Sequence, residues 1–153
     1  MKSRVITSQE EINAIIAKCQ VCHVAMVDND GKPYVLPLNF GYADGVIYFH
    51  SSREGKKINI LKNHPDLCVE FSCDHILRFQ HEEVACSYSM KYRSVLAHGT
   101  VEFVEDHDLK LKALAIVMKN YTSREFQFNP PSVKEVCCWN MKVERFECRV
   151  YGY

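Results

Sequence analysis

Residues 48–71 read YFHSSREGKKINILKNHPDLCVEF. The apolar alternation of VIYFHS, 46–51, predicts a strand, and LCVEFSC, 67–73, predicts another. Between them Ser51 and Glu54 stand at capping-box spacing, so a short helix is expected from Ser51 or Ser52, with Asn63-His64-Pro65 as its stop. Arg53, Lys56 and Lys57 then fall in its first two turns. A helix N-terminus is the positive end of the backbone dipole, so each cation there costs roughly 0.3–1 kcal/mol. Local conflicts of this kind gather at functional sites. An anion reverses the sign: free backbone N–H groups donate to a phosphate and lysines neutralise it. The G-x-x-x-x-G-K-[ST] order of a P-loop is absent. Two readings stay open at this point, an anion site and a solvated basic face on a surface helix.

The flanking sequence gives the setting. Ser8 and Glu11 form a second capping box, and Ile12, Ile15 and Ile16 follow at helical spacing, so 8–19 reads as an amphipathic helix. VCHVAMV (21–27), the turn DNDG (28–31) and PYVLPLNFGY (33–42) read as a hairpin, and ADG (43–45) turns the chain into the strand at 46–51. Beyond the central stretch, 74–92 has no clear period and reads as a long loop or irregular edge. A strand is expected over 94–106 and a helix over 107–121, with Leu111, Leu114, Ala115 and Met118 on one face. Residues 123–132 read as a loop, and 136–152 as one last strand or two. Antiparallel strands with two or three helices suggest a small barrel covered by helices, one domain over 1–153.

Bulk composition narrows the partners. Net charge is zero, so no overall field favours nucleic acid or a membrane surface, and any anion needs a local site. No apolar run approaches the roughly 18 residues of a membrane span, and MKSRVITSQEE lacks the apolar core of a signal peptide. A cytoplasmic location is the expectation. The eight cysteines lie mostly in apolar or alternating stretches and read as small buried hydrophobes. Cys19-x-x-Cys22 has no second pair at zinc spacing and closes a helix rather than opening one, so neither a metal site nor a redox pair is expected.

Two motifs together carry a resemblance. YFHSSREGKKINILKNHPDLCVEF after a β-meander, followed by ACSYSMKYRSVLAHGTVEFVED (85–106), resembles the FMN-binding split-barrel family typified by pyridoxamine 5′-phosphate oxidase, and within it the nitroimidazole-resistance branch. The resemblance runs from about Val21 to about Tyr121. It implies a homodimer of six-stranded antiparallel split barrels with FMN between the subunits. Val35, Leu36, Pro37, Leu38 and Asn39 match the strand whose backbone follows the flavin ring. His50 and Ser51 match the cofactor-facing end of the next strand, and Lys56 and Lys57 the basic pair on the FMN phosphate. Tyr92, Arg93 and Ser94 match the segment that reaches the flavin from the other subunit.

The resemblance also implies an activity, reduction of the nitro group of nitroaromatic compounds such as 5-nitroimidazoles, with His50 as the residue that donates a proton or orients substrate. Alternatives are a flavin-binding electron buffer or sensor, or a relative that holds haem or a deazaflavin. One departure bears on substrate. Pyridoxamine phosphate oxidases engage substrate through an Arg-x-His element near the C-terminus, and WNMKVERFECRVYGY has Arg145 and Arg149 but no histidine. Vitamin B6 oxidation is therefore not expected. His23, His98 and Trp139 read as core or rim residues.

Overall fold

The computed structural model describes residues 2–153. In chain order it contains β1 (Ser3–Ile6), α1 (Gln9–Lys18), β2 (Cys22–Val27), β3 (Pro33–Leu38), β4 (Gly41–Ala43), β5 (Val46–Ser51) and α2 (Lys56–Asn63). Then come β6 (Asp66–Arg78), a 3-10 turn (Ala85–Ser87), β7 (Ser89–Val104), α3 (His107–Lys119), α4 (Pro130–Glu135) and β8 (Cys137–Tyr151). The strands lie in the order β3-β2-β6-β7-β8-β5-β4, with β1 added to β8. Each recorded pairing is antiparallel. β3 and β4 end the path without pairing to each other, so the sheet curls but does not close. This is a split barrel, mostly β, with helices on its surface. Among the described residues no helix is long and apolar enough to cross a membrane.

The sheet has eight strands where six were expected. One extra comes from β1, too short at four residues to stand out beside the helix signal after it. The other comes from a break in the strand expected over 33–42. β3 pairs with β2 and β4 with β5, so the chain must change partners at Asn39-Phe40. Phe40 turns fully inside there, edge-on to Phe71 at 4.9 Å, and its N–H donates to the Tyr121 hydroxyl. The expected loop over 74–92 is shorter than that: β6 runs on to Arg78 and β7 begins at Ser89, so the irregular part is 79–88. A bulge between Cys73 and Ile76, with Asp74 at φ 56°, throws the alternation out of phase and hides it. The expected loop at 123–132 runs into α4, whose prolines occupy its first turn after Asn129.

Strand alternation fills the barrel. Ile47 and Phe49 of β5 point in, with Tyr48 and His50 on the other face. Phe49 stacks on Trp139 of β8 at 4.1 Å, and both are fully buried. α1 adds Ile12, Ile15 and Ile16, and its N-cap Ser8 accepts from the Glu11 N–H. Full burial of each such side chain contributes about 1.5–3 kcal/mol. α3 covers the outer face of β4 and β5, seating Lys110, Ala113 and Val117 rather than the face expected from its leucines. Leu111, Leu114, Ala115 and Met118 are half-buried on its flank.

Gly41 sets how closely α3 can lie. A Cβ there would stand 2.7 Å from the Val117 backbone nitrogen. Backbone cannot swing aside, so Gly41→Ala is expected to destabilise by about 1–3 kcal/mol. A urea unfolding curve measures this as a lower midpoint at unchanged slope. An unchanged midpoint would mean that α3 is not held to the sheet at this point.

Candidate functional site

The basic helix begins later than its capping signal suggested. Ser51 ends β5, and its hydroxyl donates to the Ser52 carbonyl at 2.9 Å. The Ser52 hydroxyl donates to the Glu54 carbonyl at 2.9 Å, so neither serine caps α2. Gly55 takes the N-cap instead, at φ 122° and ψ 170°, a conformation open to glycine alone. Its lack of a side chain leaves the first N–H groups of α2 without a side-chain acceptor. Lys56 and Lys57 thereby become the first two helical residues. Arg53 lies outside the helix and donates to the Lys134 carbonyl at 2.6 Å.

The two lysines diverge. Lys56 Nζ lies 3.3 Å from Asp28 Oδ2 and 4.7 Å above the ring of Tyr34. The Lys32 N–H foremost, and then those of Asp30 and Lys56, hold the Asp28 carboxyl below its ordinary range. Lys57 is half-buried and, among the described residues, has neither an ion pair nor a hydrogen bond. Burial lowers its pKa, with only a weak opposing effect from Cys137. A half-buried cation without a counter-charge, at the positive end of a helix, is unfavourable on both counts.

His50 adjoins Lys57. It is solvent-exposed on the outer face of β5, yet the surrounding protein first, and the Lys57 charge second, lower its pKa. Its ring is therefore mostly neutral at pH 7. β3 borders the same region through Tyr34 and Lys56. As the end strand of the sheet it leaves one edge free. Proline has no N–H for β2, so Pro33 and Pro37 must face the free edge, and by strand alternation Val35 faces it with them. That edge offers the Val35 N–H and the carbonyls of 33, 35 and 37. Leu36 and Leu38 are half-buried, and Asn39 is exposed where the chain leaves β3.

Tyr92, Arg93 and Ser94 are elsewhere. They pair with β8 at Tyr151, Val150 and Arg149, whereas His50 pairs with Cys138, opposite Val104 of β7. Ten residues of strand from Ser94 to Val104 span about 34 Å. One chain cannot bring both groups to one small ligand. Arg93 is engaged locally, 2.9 Å from Asp74, which Lys18 also meets at 2.8 Å, and its guanidinium lies 4.3 Å from the ring of Tyr153. Tyr92 stacks on Tyr151.

The sequence reading missed one wall of the site. A cleft of about 680 Å³ runs between the end of β5 (His50, Ser51, Ser52) and α4 (Pro131, Ser132, Glu135, Val136). The signal was present: Asn-Pro-Pro is a helix start, and Ser132 and Glu135 then fall one turn apart. Other candidates are structural. His23 lies 3.1 Å from Glu70, His98 lies 3.1 Å from Glu147, and Arg145 also bonds Glu147. Burial pushes the thiols of Cys19 and Cys22 up to about 12, far from reactive.

The family description "Pyridoxamine 5′-phosphate oxidase" matches residues 8–149. The chain belongs to this family. A candidate 5-nitroimidazole antibiotic resistance protein from Bacteroides thetaiotaomicron is 40% identical, with TM-score 0.89 over 97% of this chain and 87% of that one. This agrees with the nitroimidazole-resistance branch to which the two motifs pointed. A flavocytochrome of Azotobacter vinelandii superposes at TM-score 0.82 with 22% identity, covering 99% of this chain and 70% of its own. An FAD-binding protein of Mesorhizobium loti does so at 0.70 with 23% identity, covering 99% and 100%. These two share the fold. No curated protein matches the chain.

Two stability effects follow from the bare cations. The folded pKa of His50 lies below its ordinary 6.5. The unfolded chain then binds the proton more tightly, so stability falls as pH drops from 6.5 through the folded pKa and levels off below it. His50→Asn is expected to remove this part of the slope in thermal melts between pH 7 and pH 5. Lys57→Met, which replaces an unpaired half-buried charge by an apolar chain, is expected to raise the melting temperature by about 2 °C. A fall in melting temperature would reveal a counter-charge for Lys57.

Proposed function

We propose that this protein is an FMN-dependent reductase of nitroaromatic compounds such as 5-nitroimidazoles, and that it works as a homodimer. The observation that carries the reading is Lys57, half-buried, unpaired and set at the uncapped start of α2 beside His50. A phosphate there relieves both the buried charge and the open N–H groups. The likeness at 40% identity to the candidate nitroimidazole resistance protein supports the choice of substrate.

The residues present fit FMN. When bound, it would supply the electrons of the reduction. Lys57 and the first N–H groups of α2 would hold its phosphate. Lys56 would contribute less, because Asp28 and Tyr34 already engage it. The free edge of β3 offers one N–H donor flanked by carbonyl acceptors, a pattern suited to the hydrogen-bonding rim of a planar heteroaromatic ring. His50 and Ser51 would border the ring, and the cleft against α4 would take the substrate. A neutral His50 carries one N–H and one free nitrogen, so it can orient a nitro oxygen and hold a proton close to it. Tyr92, Arg93 and Ser94, about 34 Å along the strands, would serve the second copy's flavin, which is why a dimer belongs to the reading.

Purified protein is expected to be yellow or to take up FMN in a fluorescence titration. It is then expected to consume a 5-nitroimidazole anaerobically when given a chemical or enzymatic electron donor. Uptake without drug consumption would leave an electron buffer or sensor; a Soret band would indicate haem. Charge-assisted bonds contribute roughly 1.5–3 kcal/mol each, so Lys57→Ala is expected to weaken FMN binding at least tenfold and Lys56→Ala clearly less. Equal effects would mean that Lys56 leaves Asp28 when the phosphate binds.

A further inference from the structure

Arg53, like Lys62, is a cation of the 48–71 stretch that the flavin reading leaves without a role. It lines a second cleft, of about 750 Å³, with Lys110, Lys134, His107, Glu105 and the two prolines that open α4. Lys110 is the unusual member. It is 4% exposed, and its Nζ donates to the Val136 carbonyl at 3.1 Å. Among the described residues Arg53, Lys110 and Lys134 make no ion pair.

Part of this is structural. Arg53 and Lys110 donate to the carbonyls of Lys134 and Val136 and so tie down the end of α4. A carbonyl is only a dipole, however, and does not neutralise a buried ammonium. Each cation also keeps N–H groups that these bonds do not use. The cleft holds three permanent positive charges, Arg53, Lys110 and Lys134, against one carboxylate, Glu105. The excess of two matches the roughly −1.5 to −2 of a phosphate monoester at pH 7.

The cleft also meets the proposed substrate cleft. Pro131 lines both this cleft and the one beside His50. Burial first, and Glu105 second, raise the Cys137 thiol pKa, so this neighbour supplies no counter-charge to the cleft.

We propose that the cleft between α3 and α4 is a second anion site, distinct from Lys57, which binds the phosphate of a phosphorylated small molecule whose remainder passes over Pro131 toward His50. Two sources carry phosphate that this cleft could hold: the 2′-phosphate of a nicotinamide electron donor, a monoester that matches the excess of two, and the second phosphate of a flavin dinucleotide, which brings one negative charge.

Inorganic phosphate is the probe, titrated by calorimetry into FMN-saturated protein so that the Lys57 site is filled. Saturable binding is expected, weakened at least tenfold by Lys110→Met and by Arg53→Ala with Lys134→Ala. The double variant changes two exposed residues, so it decides the matter should Lys110→Met fail to fold. Should the protein take no FMN, the same titration is run without it on Lys57→Ala, where phosphate binding is expected to persist; the cleft thus stands or falls apart from the flavin reading. Displacement of phosphate by FAD identifies a dinucleotide flavin, and displacement by NADPH identifies the electron donor. Either supports the proposal. No binding, binding indifferent to these substitutions, or binding that neither nucleotide displaces, which is an adventitious ion only, would overturn it.

Discussion

The two-sided pairing of β8 is the constraint on which the rest of the molecule depends. One edge of β8 follows β7 from Cys138 opposite Val104 to Tyr151 opposite Tyr92. Its other edge is shared, with β5 on Cys137–Lys142 and β1 on Cys148–Tyr151. Side chains in a strand alternate faces, so a slip of one residue would bring His50 inward and Phe49 outward. The stack of Phe49 on Trp139 resists that slip with two fully buried rings. Packing in the barrel therefore fixes which residues of β5 are available for chemistry outside it.

Around this frame the positive charges are arranged against local stability. Asp74 answers both Lys18 and Arg93, and Asp28 answers Lys56. Lys57 and Lys110 have no such answer, although one is half-buried and the other nearly sealed. A folded chain retains an uncompensated buried charge at a penalty of several kcal/mol in the limit of full burial. Lys57 stands at the start of α2, and Lys110 reaches the carbonyl that follows α4. Stability and ligand capture are thus separated in the structure: apolar contacts inside the barrel, bare cations outside it.

Most of the fold was legible because its elements follow simple periods. The isoleucines of α1 and the alternation of β2, β3 and β5 follow the regular patterns of helix and strand. The failures have local causes. The bulge at Asp74 shifts the phase of β6, and Phe40 turns inward where the chain changes strands. The capping box at Ser51 was a false signal, because β5 holds Ser51 through its pairing with Cys137 and the helix start passes to Gly55. At the site, the tension between basic residues and a helix start was readable from spacing alone. That Lys56 would turn to Asp28 while Lys57 stayed free was not, since it depends on a contact 28 residues away in sequence.

The prolines of β3 have a consequence beyond the ligand edge. An exposed strand at the border of a sheet is a template on which another chain can add, the first step of fibrous aggregation. Pro33 and Pro37 remove two of the three outward N–H donors of β3, leaving only that of Val35. A single donor cannot sustain a new ladder, so the border stays closed to strand addition while its carbonyls remain open to a small molecule. The same two residues that shape a recognition surface also keep the protein from polymerising along it.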